Sequence, residues 1–319
     1  MSETEGSMRA RRWRRVLLGS VGIVAVGVAV VWLVSERSIE RRYETTPVAN
    51  VTRAEPSAAD VARGRHLVTA VAQCTFCHGD DLAGKVVADD PWIGRIDSGN
   101  LTRGEGGVGR RYSAEDWVRA LRHGVRPDGT SLLLMPARGF SELSGSDLRA
   151  IVAYLEAVPP VDRNPGPKRV GWLTRVIVAA GLAPDIFSAE EARVVRSAPR
   201  GTAASAALDA PSNDRSGAYL VEIGNCRVCH KADLRGGLHP LALPGEPPPP
   251  PLVGAGAMPG WHLDDFRRAM REGRKPDGRS LDPEFMPWPA YQRLTDKEIE
   301  ALWRYLAAER PAGKVVMRR

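Results

Sequence analysis

Apolar residues recur at helical spacing through most of this chain. Leu148, Ile151, Val152 and Leu155 stand at i, i+3, i+4 and i+7, and Ile299, Leu302, Trp303 and Leu306 repeat that spacing. The period puts each set on one face of a helix. Ser144-x-x-Asp147 and Thr295-x-x-Glu298 precede these faces as capping-box-like starts. An earlier helix opens near Ser113-x-x-Asp116 and carries Trp117 and Leu121, and its counterpart carries Phe266 and Met270. Gly64 and Gly217 sit in two further short helical patterns, where a missing side chain lets another helix approach closely. No segment sustains the alternation of a strand, so the pattern predicts an all-α fold.

One run differs from the amphipathic segments. Val16 to Val34 is 19 residues without a charge, which as a helix spans about 28 Å, near the hydrocarbon thickness of a bilayer. Arg9, Arg11, Arg12, Arg14 and Arg15 precede it. A basic N-terminal flank stays cytoplasmic and sends the remainder across the membrane. A cleaved signal peptide is the competing reading, but the run is long for one and Val34-Ser35-Glu36-Arg37 is a poor cleavage site. The expectation is a single uncleaved span in the inner membrane.

The second half repeats the first. Asp81-Leu82-x-Gly84 returns as Asp233-Leu234-x-Gly236, 152 residues later. Asp116-Trp117 matches Asp265-Phe266 and Pro127-Asp128-Gly129 matches Pro276-Asp277-Gly278, both at an offset of 149. Met135-Pro136 and Met286-Pro287 match at 151, as do Tyr154-Leu155 and Tyr305-Leu306. Offsets this even mark one duplicated unit with small loop changes. The expected organisation is an N-terminus and anchor at 1–35, a linker at 36–55, and a first unit at 56–160. An interdomain segment follows at 161–211, then a second unit at 212–312 and a tail at 313–319. Val170 to Phe187 is apolar enough to lie on a domain surface, but Arg175, Gly181 and Pro184 argue against a second span. Pro247 to Pro251 is a stiff, extended run expected to be a spacer that wraps a crevice, with a Pro-rich recognition site as the alternative.

Composition adds little to that outline. The formal net charge is +7, but residues 1–35 hold five Arg and two Glu, leaving 40 basic and 36 acidic residues for the rest. So mild an excess gives no support for a nucleic-acid partner.

The cysteines change the picture. All four lie in two pentapeptides, Cys74-Thr75-Phe76-Cys77-His78 and Cys226-Arg227-Val228-Cys229-His230. Cys-x-x-Cys-His is the attachment motif of c-type haem: each thiol pair adds to the two vinyl groups of one porphyrin, and the following His reaches the iron. A zinc site needs a fourth ligand from elsewhere, a dithiol redox pair needs no His, and a plain disulfide leaves both histidines unexplained. Two covalently bound haem c groups are therefore expected, on Cys74 and Cys77 and on Cys226 and Cys229, with His78 and His230 as axial ligands.

Candidates for the other axial position follow from the repeat. Met135 lies 57 residues after His78, and Met286 lies 56 after His230. Each is followed by Pro, which biases the Met to an extended backbone, and each follows a Pro-Asp-Gly turn. Met258 and Met270 have no partner in the first unit. A buried Met is ordinarily packing, but duplication at nearly equal spacing singles out Met135 and Met286 as ligands. His66, which corresponds to Tyr219, and His123, which corresponds to Glu272, are expected to be surface or packing residues, as are His239 and His262.

From Gly64 to Pro160 and from Gly217 to Pro311 the chain resembles class I cytochrome c domains. It is most similar to those of the membrane-bound cytochrome c subunits of bacterial alcohol and gluconate dehydrogenases. Asn100-Leu101-Thr102, the stretch from Ala120 to Gly129, Met135-Pro136, Met270 to Gly273, Pro276-Asp277-Gly278 and Phe285-Met286-Pro287 carry the likeness. The resemblance implies His78/Met135 and His230/Met286 as axial pairs. Those subunits usually carry three haem motifs, and this chain has two. The expected function is single-electron relay on the periplasmic side, between a dehydrogenase or quinol-linked complex and an acceptor cytochrome or oxidase, without catalysis by the chain itself. The alternatives are a diheme cytochrome c peroxidase and, more remotely, a thiosulfate- or sulfite-oxidising diheme enzyme, in which one iron opens to substrate or takes an unusual ligand.

Overall fold

A computed structural model describes residues 3–45, 55–197, 215–238, 247–254 and 256–308. His239, the tail at 313–319 and parts of the expected linker and interdomain segment lie outside the described residues. The chain begins with one long helix, α1 (Glu3–Ile39). Its stretch from Arg11 to Ile39 is long and apolar enough to cross a membrane, and none of its most apolar window is buried. The outward-facing valines and leucines of α1 have no protein to pack against, which suits a hydrocarbon solvent.

The first unit is built on α2 (Ala58–His66), α3 (Cys74–His78), α4 (Ala114–His123), α5 (Ala137–Phe140) and α6 (Gly145–Ala157). The second repeats that order in α9 (Arg215–Ile223), α10 (Cys226–His230), α11 (Leu263–Glu272), α12 (Trp288–Tyr291) and α13 (Asp296–Ala308). Between them lie α7 (Trp172–Ala179) and α8 (Ser188–Ser197). Local chemistry starts the main helices where the sequence places them. Ser57 with Asp60, and Ser113 with Asp116, form complete capping boxes. The Ser144 hydroxyl accepts from the Asp147 amide, and Thr295 and Glu298 bond reciprocally at the start of α13. Each cap satisfies amides that the first turn leaves without partners.

Within each unit the first helix crosses the last at a glycine. A Cβ on Gly64 would overlap the Ala150 carbonyl oxygen of α6, and one on Gly217 would overlap that of Ala301 on α13. The units differ by one residue just beyond this crossing: Gly64 and Cys74 are ten positions apart, Gly217 and Cys226 nine. The first unit absorbs the extra residue as a π-helical turn at Leu67–Val71, closed by the Ala72 amide donating to the Leu67 carbonyl.

The two units meet face to face about a pseudo-twofold axis, as duplicated surfaces do. Tyr219 on α9 donates to Asp147 Oδ2 of the first unit at 2.8 Å. In return His66 on α2 meets Glu298 Oε1 of the second unit at 2.8 Å. Tyr219 occupies the position of His66, and Glu298 that of Asp147, so the two contacts are one contact made twice. Arg63 ties them together, bonding both Asp147 oxygens at 3.0 and 3.1 Å and approaching Glu298 at 3.8 Å. Beneath this polar rim one continuous apolar core joins both units, with Val68, Val71 and Phe140 on one side and Leu220, Ile223 and Tyr291 on the other.

A small antiparallel sheet accompanies the helices: β1 (Val86–Asp90), β2 (Gly94–Asp97) and β3 (Arg169–Val170), in the order β1-β2-β3. The strands are too short for a period-two pattern to show, and β3 reaches β2 from more than 70 residues away. The Asp90 carboxylate accepts from the Trp92 and Ile93 amides and makes the hairpin turn. The sheet draws the interdomain segment back onto the first unit. Chain leaving α1 is also tied there, since the Tyr43 amide donates to the Gly129 carbonyl and the Tyr43 hydroxyl to Glu190 on α8.

Candidate haem sites

Both Cys-x-x-Cys-His segments fold as single helical turns, α3 and α10, entered through a left-handed residue: Gln73 at φ 52° and Asn225 at φ 57°. The left-handed step turns the chain sharply out of the preceding helix. One turn then brings the cysteines, three positions apart, onto one face. Burial pushes Cys74 and Cys226 up to about 12, with Cys77 adding to the first effect and Glu222 to the second. Among the described residues no three His, Cys, Asp or Glu side chains converge as a metal-ion site.

The two histidines are held alike. His78 Nδ1 lies 2.8 Å from the Gly99 carbonyl oxygen, and His230 Nδ1 lies 2.8 Å from that of Pro250. A ring whose Nδ1–H donates to a backbone carbonyl presents a bare Nε2, the arrangement a metal-bound histidine uses. Burial lowers both imidazoles below their ordinary value, against the opposing pull of the carbonyl, so each is neutral. Around each His the chain makes the same turn. Gly84 and Gly236 amides donate to the His78 and His230 carbonyls, and buried Leu82 and Leu234 both sit at φ 59°.

The loops offering those carbonyls differ. Gly99 is held by Asn100, which is fully buried and donates to the Val161 and Arg163 carbonyls at 2.8 and 3.1 Å. Pro250 belongs to the proline run, whose extended backbone passes over α10, where a Cβ on Gly236 would overlap the Pro249 carbonyl. No sequence signal marks either acceptor, because every residue has a carbonyl. Only the buried Asn100, in the Asn100-Leu101-Thr102 stretch, hints at the first.

Met135 and Met286 are half-buried against the core in matching turns. The Ala137 amide donates to the Met135 carbonyl at 2.7 Å and the Trp288 amide to the Met286 carbonyl at 2.6 Å. Pro136 at φ −75°, ψ 69° and Pro287 at φ −75°, ψ 51° close these inverse γ-turns. Met270 is instead core, buried on α11. His123 is buried in the last turn of α4, His262 caps α11, and His66 lies in the contact between units.

The residues present fit a covalently held haem in each unit: a thiol pair on one face, a neutral oriented imidazole, and apolar walls. In the first unit the buried Trp117 Nε1 has no acceptor among the described residues, leaving an indole N–H for a polar edge of such a group.

Comparison with known proteins agrees with this geometry. Residues 59–155 match the family model described as cytochrome c oxidase, cbb3-type, subunit III, and residues 215–308 match cytochrome c. The cytochrome c subunit of gluconate 2-dehydrogenase from Pantoea cypripedii is 31% identical over 281 residues, covering 77% of this chain and 58% of that protein. The cytochrome c subunit of alcohol dehydrogenase (quinone) from Gluconacetobacter polyoxogenes is 28% identical over 273 residues, 76% of this chain and 55% of that one. The fructose dehydrogenase cytochrome subunit of Gluconobacter japonicus is 32% identical over 196 residues, 57% of this chain and 37% of its own length. The chain thus spans little more than half of the gluconate and alcohol dehydrogenase subunits it matches. With both halves in cytochrome c families, whose domains bind haem c covalently, this chain is a c-type cytochrome of two tandem domains, similar to the cytochrome c subunits of bacterial dehydrogenases.

Proposed function

We propose that the protein is a membrane-anchored diheme relay, passing single electrons from a dehydrogenase or quinol-oxidising complex to a downstream cytochrome or oxidase. In this reading α1 spans the inner membrane, Arg9 to Arg15 remain inside, and both haem domains lie on the periplasmic side. The domains run over 56–160 and 212–312. Haem c supplies a one-electron couple when bound. Cys74 and Cys77, and Cys226 and Cys229, hold it by thioether bonds. His78 and His230, kept neutral and aimed by the Gly99 and Pro250 carbonyls, would each bind the iron. Met135 and Met286 would be the second ligands, and such His/Met ligation would raise the reduction potential and close the iron to substrate. The buried walls exclude water.

The observation that carries this reading is the doubled Met-Pro γ-turn. A peroxidase needs one iron open to peroxide, and the two turns share one geometry. The likeness to the cytochrome subunits of gluconate, alcohol and fructose dehydrogenases supports a dehydrogenase as donor. Carbon monoxide added to the reduced protein at neutral pH tests the reading. Little binding at either haem is expected; rapid binding to one haem, together with peroxide turnover, overturns it.

A further inference from the structure

Helix α7 is built inside out. Its one charged residue, Arg175, is 8% exposed, while Trp172, Leu173 and Val176 form an outward apolar stripe exposed at 37%, 47% and 37%. Leu182, just past the helix, is 68% exposed, and Trp92, on the hairpin turn beside it, is 66% exposed. Trp92 belongs to the same surface, because its carbonyl accepts from the Leu173 amide at 3.0 Å. A soluble helix of a globular domain turns the opposite face outward, and a contiguous apolar surface of this kind marks an interaction site.

Arg175 fixes where that surface lies. Its guanidinium sits 3.6 Å above the Trp32 ring, donates to Ser35 Oγ at 2.9 Å and pairs with Glu36 at 2.7 Å. These partners occupy the last turns of α1, where the uncharged run ends at Val34. The apolar stripe therefore begins at the level where α1 leaves the hydrocarbon. Eight residues long, α7 covers about 12 Å and cannot span; it can lie along the boundary with its apolar side down. Trp32, Trp92 and Trp172 then stand at the depth that indole rings favour. Arg42 is exposed close by, just past α1, with the charge that anionic headgroups attract, while Arg41 and Arg169, also exposed, are ion-paired to Glu190 and Asp89.

We infer that α7, Leu182 and the Trp92 turn form a second, interfacial membrane contact. They would dip into the outer-leaflet lipid beside α1 and hold the first domain in a set orientation on the bilayer. The inference rests on the proposed anchoring of α1.

The test uses the full-length holoprotein in nanodiscs of phosphatidylcholine and phosphatidylglycerol. A nitroxide is placed in turn at Leu173→Cys, Leu182→Cys, Ile23→Cys in the middle of α1, and Lys297→Cys on the second domain. Collision with oxygen and with a water-soluble nickel chelate is then measured by electron paramagnetic resonance. Labels at 173 and 182 should show a several-fold higher oxygen-to-nickel ratio than the label at 297, in the direction of the label at 23. A water-like ratio at 173 and 182 with a lipid-like ratio at 23 overturns the inference and leaves the anchor standing. A water-like ratio at 23 overturns the anchor itself. Low collision with both reagents at 173 and 182 assigns the surface to a protein partner, which also overturns the inference. Val176→Cys replaces either variant that fails to take up haem.

Discussion

The two domains reach the same histidine geometry by different means. In the first, buried Asn100 clamps a glycine-containing loop against residues 161–163, and Gly99 offers its carbonyl to His78. In the second, proline-rich chain passes over α10 and Pro250 offers the carbonyl to His230. A backbone acceptor needs only a placed chain, and proline, which lacks an N–H, keeps its C=O. Duplication has thus preserved a direction in space while the side chains that enforce it diverged. The methionine loops differ in support rather than direction. In the first domain the interdomain segment straps the loop: the Leu134 amide donates to the Ile186 carbonyl, the Ser188 amide to the Leu132 carbonyl, and Leu133 bridges to Phe187. Among the described residues the second loop is held only within its own domain: the Leu281 amide donates to the Gly273 carbonyl, Trp288 Nε1 to the Leu281 carbonyl and the Met286 amide to the Asp282 carbonyl. Helix α1, the sheet and the strap all attach to the first domain, which is therefore the positioned one.

The largest effect should come from the attachment motifs. Replacing Cys74 and Cys77 by Ser, or Cys226 and Cys229 by Ser, should each halve the covalent haem seen by haem staining and intact mass. Loss of both haems from one pair would mean that the domains do not mature separately. Next, Met135→Ala and Met286→Ala should each remove about half of the Met-to-iron charge-transfer absorbance and lower the potential of one haem. Full survival of the band in both variants would reject these ligands. The strap sharpens this prediction: added imidazole should displace Met286 at lower concentration than Met135, and equal midpoints would show that the strap does not steady its loop.

Smaller effects probe the folding of each domain. Gly64→Ala and Gly217→Ala force a methyl into a helix crossing, and each should cost about 1–3 kcal/mol in denaturant unfolding. A much smaller cost in one would show that its crossing can open. The residue after each motif separates the domains again. It is Gly79 in the first, at φ 79°, and Lys231 in the second, at φ 64° and ψ 164°, a region that only glycine enters without strain. Lys231→Gly should therefore stabilise the protein by about 1 kcal/mol, whereas Gly79→Lys should destabilise it. A loss on Lys231→Gly would locate no strain there.

The contact between domains should respond to acid. Burial by itself raises Glu298, but the bonds from His66 and from the Thr295 amide and the nearby His66 charge outweigh it and hold the carboxyl below its ordinary value. A depressed carboxyl stabilises above the ordinary glutamate range, and the contribution disappears as pH falls through the lowered value. Glu298→Gln should cost about 1 kcal/mol at neutral pH and remove that part of the acid sensitivity. Unchanged acid unfolding would assign the sensitivity to another carboxylate.

Much of this was legible in order along the chain. The caps at Ser113, Ser144 and Thr295, the apolar faces of α6 and α13, the close approaches at Gly64 and Gly217, and the two attachment motifs are all local patterns. His66 and Tyr219 could be matched as equivalent positions, yet nothing near either one reveals the carboxylate it meets in the opposite domain. The short sheet also escaped, because β3 has two residues and its partner is distant in sequence. Arg175 could be read as an argument against a second span, but its place under the Trp32 ring required the folded chain.

By itself, the sequence determined the cofactor chemistry, the helical repeat and the long apolar first helix, because each depends on residues within a turn or two of one another. Tertiary structure alone decided which carbonyls aim the histidines, how the duplicated faces exchange partners, and which domain holds α1. Those outcomes depend on contacts between segments dozens to hundreds of residues apart, and the free energy of such contacts is set by packing that no local pattern encodes.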